Sequence, residues 1–173
     1  KMYDFIKKQY NEGKPWEIIR DNVYQRYQVD QKDGYDNSTI SKEEIEKCNG
    51  CAAAGINFAA SIISLFAGEG DLKDTIKIAS LMGWDSDNPT ATWGGLIGFM
   101  IGYDGVEKAF NKIFSEEYHI HRTRQNFPNG IDNFTNMACV GVFITDRVVQ
   151  EELGGGVDLE NNIWYIPKLT KND

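Results

Sequence analysis

The residues best placed to do chemistry are the acidic ones in Gly83-Trp84-Asp85-Ser86-Asp87-Asn88-Pro89-Thr90. Asp85 and Asp87 fall in a predicted turn between two helices, just ahead of a helix start at Pro89. Two carboxylates two residues apart in a turn can point at one spot, and this spot lies at the positive end of a helix. Magnesium and calcium are hard cations that take oxygen ligands. Asp85 and Asp87 can give one oxygen each, or Asp87 can bridge two ions. Asn88 through Oδ1 or Thr90 through Oγ1 can give a third. Two or three protein oxygens do not close such a site, so waters, a substrate or residues from elsewhere must complete it. A plainer reading stands beside this one. With 14 Asp in 173 residues, about one D-x-D arises by chance. Asn88 can then be a helix N-cap, with both Asp residues favouring the dipole.

The elements around the motif read as mostly helical. Tyr3, Ile6 and Tyr10 share one face of a predicted helix over 3–11, which Gly13 ends. Pro15 suits a first helical position, and Trp16, Ile19, Val23 and Tyr27 follow as an amphipathic stripe. Residues 29–40 are polar and read as a surface loop. Ser41-x-x-Glu44 is a capping box opening a short helix. Residues 52–66 form the most apolar predicted helix, and so the central one, terminated by Gly68-Glu69-Gly70. Asp71 caps the next helix, with Leu72, Ile76, Ala79 and Leu81 facing inward and Gly83 stopping it. The helix from Pro89 carries Gly94, Gly95, Gly98 and Gly102, each costing about 1 kcal/mol against Ala. Such a cluster implies close packing of backbones or of a ligand. A further helix over 106–114, an irregular stretch over 116–131, a long helix over 133–153 capped by Asp132, and a small hairpin over 157–167 complete the all-α reading.

Length and composition bound the rest. A chain of 173 residues suits a single domain over 1–173 and can bury a real core. The net charge is −8, from 26 acidic against 18 basic residues. That argues against a nucleic-acid partner, which needs clustered Lys and Arg. No apolar run reaches the roughly 18 residues needed to span a bilayer, so a soluble protein without a membrane span is expected. No targeting signal is visible, the compartment is unassigned, and a first residue of Lys1 is compatible with a fragment or a processed chain. Cys48, Cys51 and Cys139 are not a disulfide framework. Cys48-x-x-Cys51 alone cannot fill a tetrahedral zinc site and reads as two ordinary thiols at a helix start.

The run Asn57-Phe58-Ala59-Ala60, Leu65 to Ile76 with Gly68-Glu69-Gly70-Asp71-Leu72-Lys73-Asp74-Thr75, and Gly83 to Gly98 with Asp85-Ser86-Asp87-Asn88-Pro89-Thr90 resembles the ADP-ribosylglycohydrolase family, which includes the dinitrogenase reductase-activating glycohydrolases. The resemblance implies an all-α orthogonal helical bundle, of which this chain is the C-terminal portion. It implies a hydrolase that cleaves N- or O-glycosidic bonds to ADP-ribose with two magnesium ions, or manganese in their place. By the same resemblance Asp85 and Asp87 are metal ligands. The next residue, commonly Thr or Ser in that family, is Asn88 here, and Thr90 is a second candidate. The family's other ligands lie in an N-terminal T/S-D-D motif that this sequence lacks, and the catalytic acid or base is expected there too. Partners implied are an ADP-ribose-type small molecule or an ADP-ribosylated protein. An N-terminal fragment of the same protein, or another subunit, would complete the site. The family also has members recruited as lens crystallins, so the alternative is a catalytically degenerate structural or binding protein on the same fold.

Several other residues carry weaker signals. Trp84 and Trp93 bracket the motif, and either ring can stack on adenine or ribose, although a core or rim tryptophan is the default. Asn57, mid-helix among apolar residues, needs partners for its amide. It either orients the motif's backbone or makes a plain core hydrogen bond. His119 and His121 read as surface histidines, and Arg122 and Arg124 as partners of Glu116 or Glu117.

Overall fold

The computed structural model describes residues 1–36, 38, 40–48, 51, 53–120 and 130–168, the side chains of Glu44 and Cys48 excepted. Among the described residues the chain is mostly helical, with seven α-helices and two small antiparallel hairpins. This is the all-α architecture expected. The chain divides into two compact units, Lys1–Ile113 and Phe114–Asp173.

The first unit is built around one apolar helix. Helix α1 (Met2–Asn11) buries Ile6, and Gly13, at φ 73°, turns the chain behind it. Pro15 is the N-cap of α2 (Trp16–Val23) rather than its first residue, because its ψ of 145° is extended. The helix then loosens into a π-helical turn, Tyr24–Val29, which keeps Tyr27 buried beside Ile19 and Val23. After the short helix α3 (Lys42–Cys48), α4 (Ala54–Gly68) runs through the middle and packs on α1, α2, α5 and α6. Ile6, Ile19, Val23, Tyr27, Ile56, Ala59, Ala60, Ile63 and Met82 form the core. Each large aliphatic side chain there stabilises by about 1.5–3 kcal/mol. Cys51 is disulfide-bonded, contrary to the reading of its motif as two free thiols, and Cys139 is a free, exposed thiol.

Helix α5 (Leu72–Leu81) crosses close to the end of α4: a Cβ on Gly68 would sit 2.6 Å from Thr75 Cα. Its inward stripe is Leu72, Thr75, Ala79 and Met82, all buried, with Ile76 half-buried. Leu81, expected to face inward, is 57% exposed. It lies one residue, about 100° of helix, off that stripe. Helix α6 (Asp87–Phe110) begins two residues before Pro89. Proline fits there because amides of the first turn lack intrahelical partners anyway. The separate helix expected from Val106 is continuous with α6 across a kink at Gly102 (φ 72°, ψ 175°), a conformation open to glycine. The close backbone packing expected at the other glycines is not present. A Cβ on Gly94 or Gly98 would make ordinary contact at 3.5 Å, and one on Gly95 would meet nothing within 4 Å. Phe99 and Met100 on α6 are 87% and 75% exposed.

In the second unit the stretch expected to be irregular is bounded by two strands. β1 (Glu117–His119) pairs antiparallel with β2 (Ile131–Asn133), placing Tyr118 opposite Asp132. Asn133, not Asp132, caps α7 (Phe134–Arg147): its side chain accepts the Asn136 N–H at 2.7 Å. Asp132 instead accepts from the Asn133 N–H and from Asn136 Nδ2. A π-helical turn, Val148–Glu152, follows α7. The C-terminal hairpin is present as read, with β3 (Gly156–Asp158) paired to β4 (Ile163–Tyr165). Among the described residues no helix is long and apolar enough to cross a membrane.

Candidate metal centre

The acidic motif is positioned by the turn from α5 into α6. Gly83 (φ 86°) and Trp84 (φ 54°) both take left-handed backbone conformations, which reverses the chain within two residues. A non-glycine residue there is held by its surroundings. Trp84 packs against the core, its ring stacked on Tyr24 at 6.4 Å between centroids. The turn is tied to α4 as well. Asn57 is 7% exposed, and its Oδ1 accepts the Asp85 N–H at 3.2 Å. Asn57 Nδ2 donates to Cys51 O at 2.6 Å and to Ala53 O at 3.1 Å. The two readings of Asn57 are therefore both met by one side chain. One turn further along α4, Ser61 O accepts the Trp93 indole N–H at 2.8 Å. Asn57 and Ser61 thus hold the stretch from Asp85 to Trp93 from one helix face. Ser61 is not legible in the sequence as a partner of Trp93, because its contribution is a backbone carbonyl.

Asp85 and Asp87 come together. Both are exposed, and the two carboxyls are near enough to act on one another electrostatically. Sharing of a proton with Asp87, then the like charge of Asp87, then partial desolvation, push the Asp85 carboxyl up from its ordinary value. The like charge of Asp87 makes a second negative charge at Asp85 less favourable. A divalent cation of the hard, oxygen-seeking kind offers the same relief with more charge, so the pair fits such an ion as donors. Asp87 opens α6, and Ser86, its N-cap, gives no side-chain cap bond.

The neutral donors are arranged differently. Asn88 is exposed in the first turn of α6 and is not the N-cap; its backbone N–H donates to Asp85 O at 3.0 Å. Thr90 Oγ1 donates to Ser86 O at 2.7 Å and lies 3.2 Å from Ser80 Oγ on α5. Among the described residues no group of three or more His, Cys, Asp and Glu side chains is gathered as a metal site. The second unit carries His119, exposed on β1. His121, Arg122 and Arg124 lie outside the described residues.

A helical bundle with an acidic pair where one helix ends and the next begins is the class of protein that fold and site define. Residues 4–132 match the family model for ADP-ribosylglycohydrolase, and the chain belongs to that family. The match reaches from α1 through the acidic motif to β2, and it supports a glycohydrolase-type function. Helix α7 and the C-terminal hairpin lie beyond it. No curated protein and no solved structure matches the chain at a significant level.

Proposed function

We propose that the chain supplies the acidic half of a divalent-metal site in a glycohydrolase that cleaves an N- or O-glycosidic bond to an ADP-ribose-type group. The supporting observation is the placement of Asp85 and Asp87 together in the turn that opens α6, where their carboxyls act on each other. Asp85 and Asp87 would hold magnesium, one ion or two, with manganese as a substitute. Asn88 through its amide oxygen, or Thr90 through its hydroxyl, would add a neutral donor. When bound, such an ion orients the substrate and polarises its oxygens. The protein's own part is positional. Trp84 and Asn57 set the turn, so that both carboxylates face one point. Trp93 fixes the first turns of α6 on α4. Trp84 and Trp93 also flank the place where an ADP-ribose ring would lie. The substrate is a small ADP-ribose conjugate or an ADP-ribosylated protein. The acid or base that moves the proton of the attacking water is a group other than Asp85 and Asp87.

A second reading, a structural or binding protein on the same fold, is favoured by one local feature. Asn88 brings no hydroxyl, and that of Thr90 already donates to Ser86 O. Calorimetric titration with ADP-ribose, with and without magnesium, separates the two. Magnesium-dependent binding that disappears in Asp85→Ala is the expected result. Absence of binding in both conditions would replace the glycohydrolase reading with the structural one.

A further inference from the structure

We infer that Asn57 is a positioning residue for the acidic motif, acting through the backbone of Asp85 rather than on a ligand. The inference rests on the metal-site reading for its consequence, but on geometry alone for its premise. Asn57 lies on α4, 28 residues before Asp85. It is buried in the most apolar helix of the chain, among Ile56, Ala59, Ala60 and Ile63. A primary amide in such surroundings costs free energy unless its donors and acceptor are used. Here both ends are used. Nδ2 closes onto the carbonyls of Cys51 and Ala53, at the start of α4. Oδ1 is thereby turned outward to accept the N–H of Asp85.

The consequence follows from where Asp85 sits. Trp84 before it is held at φ 54°, and Asp87 after it is already helical. Rotation of the peptide joining Trp84 to Asp85 would swing the Asp85 side chain relative to Asp87. A hydrogen bond from the Asp85 N–H to a rigid buried acceptor stops that rotation. Ser64, two turns from Asn57 on α4 and fully buried, offers a control. Its hydroxyl donates only to carbonyls of its own helix, Ala60 O and Ser61 O.

The test uses the full chain. In the wild type, amide hydrogen exchange should show the Asp85 N–H exchanging more slowly than the same amide in the unfolded chain. Rapid exchange at Asp85 would overturn the inference without any variant. Asn57→Ala should lose that protection, and manganese affinity should fall by about 10- to 100-fold, as for other outer-shell partners of metal ligands. Ser64→Ala should leave both unchanged. Equal manganese affinity in Asn57→Ala and wild type would sink the positioning role, as would an equal loss in Ser64→Ala. If the wild type takes up no manganese, the metal reading falls, and exchange at Asp85 in the wild type and Asn57→Ala still decides whether Asn57 holds that backbone.

Discussion

Two helix starts lie 15 residues apart in this chain, and each carries a pair of aspartates. At the head of α5, Asp71 is extended (φ −68°, ψ 127°) and its carboxylate accepts the Asp74 N–H at 2.8 Å. At the head of α6, Ser86 occupies the capping position in a helical conformation and gives no side-chain bond. There the aspartates flank the cap instead of occupying it, and their carboxyls act on each other. The same residue type at the same kind of place thus does opposite work. Asp71 consumes its charge on an orphan amide, which stabilises the fold. Asp85 and Asp87 keep theirs in mutual opposition, which costs stability. A local φ/ψ choice decides between the two outcomes. Left-handed Gly83 and Trp84 bring the chain into α6 already helical at Ser86, whereas Glu69 (φ 51°) and Gly70 (φ 80°) deliver Asp71 extended.

The largest effect that would sharpen this contrast is on ion binding. Asp87→Ala should abolish manganese binding, while leaving the helical circular dichroism spectrum unchanged, and Asp71→Ala should bind manganese as the wild type does. Metal-dependent glycosidic hydrolysis that survives Asp87→Ala would break the comparison at its functional end. The next effect is on stability and has the reverse order. Asp71→Ala removes an N-cap and should cost about 1 kcal/mol in urea unfolding, and Asp87→Ala measured without metal should cost less. An equal loss in the two variants would mean that Asp87 also serves as a structural carboxylate.

The smallest effect is the pH dependence of stability without metal. The folded chain holds the Asp85 proton more tightly than the unfolded chain does. The stability this provides is present in full below the unfolded carboxyl's value and is lost as pH rises through the raised folded value. Asp33 behaves with the opposite sign. Its bonds from Arg26 and from the Tyr27 hydroxyl hold its carboxyl low, so its contribution is lost as pH falls through that lowered value. Thermal melts across the carboxylate range should show Asp85→Asn abolishing the loss on the alkaline side and keeping the loss on the acid side. A profile unchanged by Asp85→Asn would mean that the two carboxyls do not interact.

Much of this was legible from residue types. The apolar run of α4 announced the central helix, because a helix whose only polar side chains are Asn57, Ser61 and Ser64 gains most by burial. Asp71 and Gly68-Glu69-Gly70 announced the α4–α5 junction, because capping and left-handed termination are properties of single residues. Other features were not legible, for reasons of the same physical kind. Leu81 is apolar yet exposed, since helical phase is set by Thr75 and Met82 against α4. Gly102 marks a kink inside one helix, since a glycine at positive φ reads the same as a glycine between two helices. Asn133 displaced Asp132 as the cap of α7, since the pairing of β1 with β2 sets where the strand ends.

The sequence by itself determined that the chain is helical, that its family is the ADP-ribosylglycohydrolases, and that Asp85 and Asp87 are the residues to watch. These follow from periodicity, capping chemistry and a run of residues in fixed order. Only the tertiary structure decided that the two carboxyls act on each other, that Asn57 and Ser61 on α4 hold the segment that carries them, and that Asn88 is not its cap. Those facts depend on contacts spanning 28 and 32 residues, which no local rule of spacing contains.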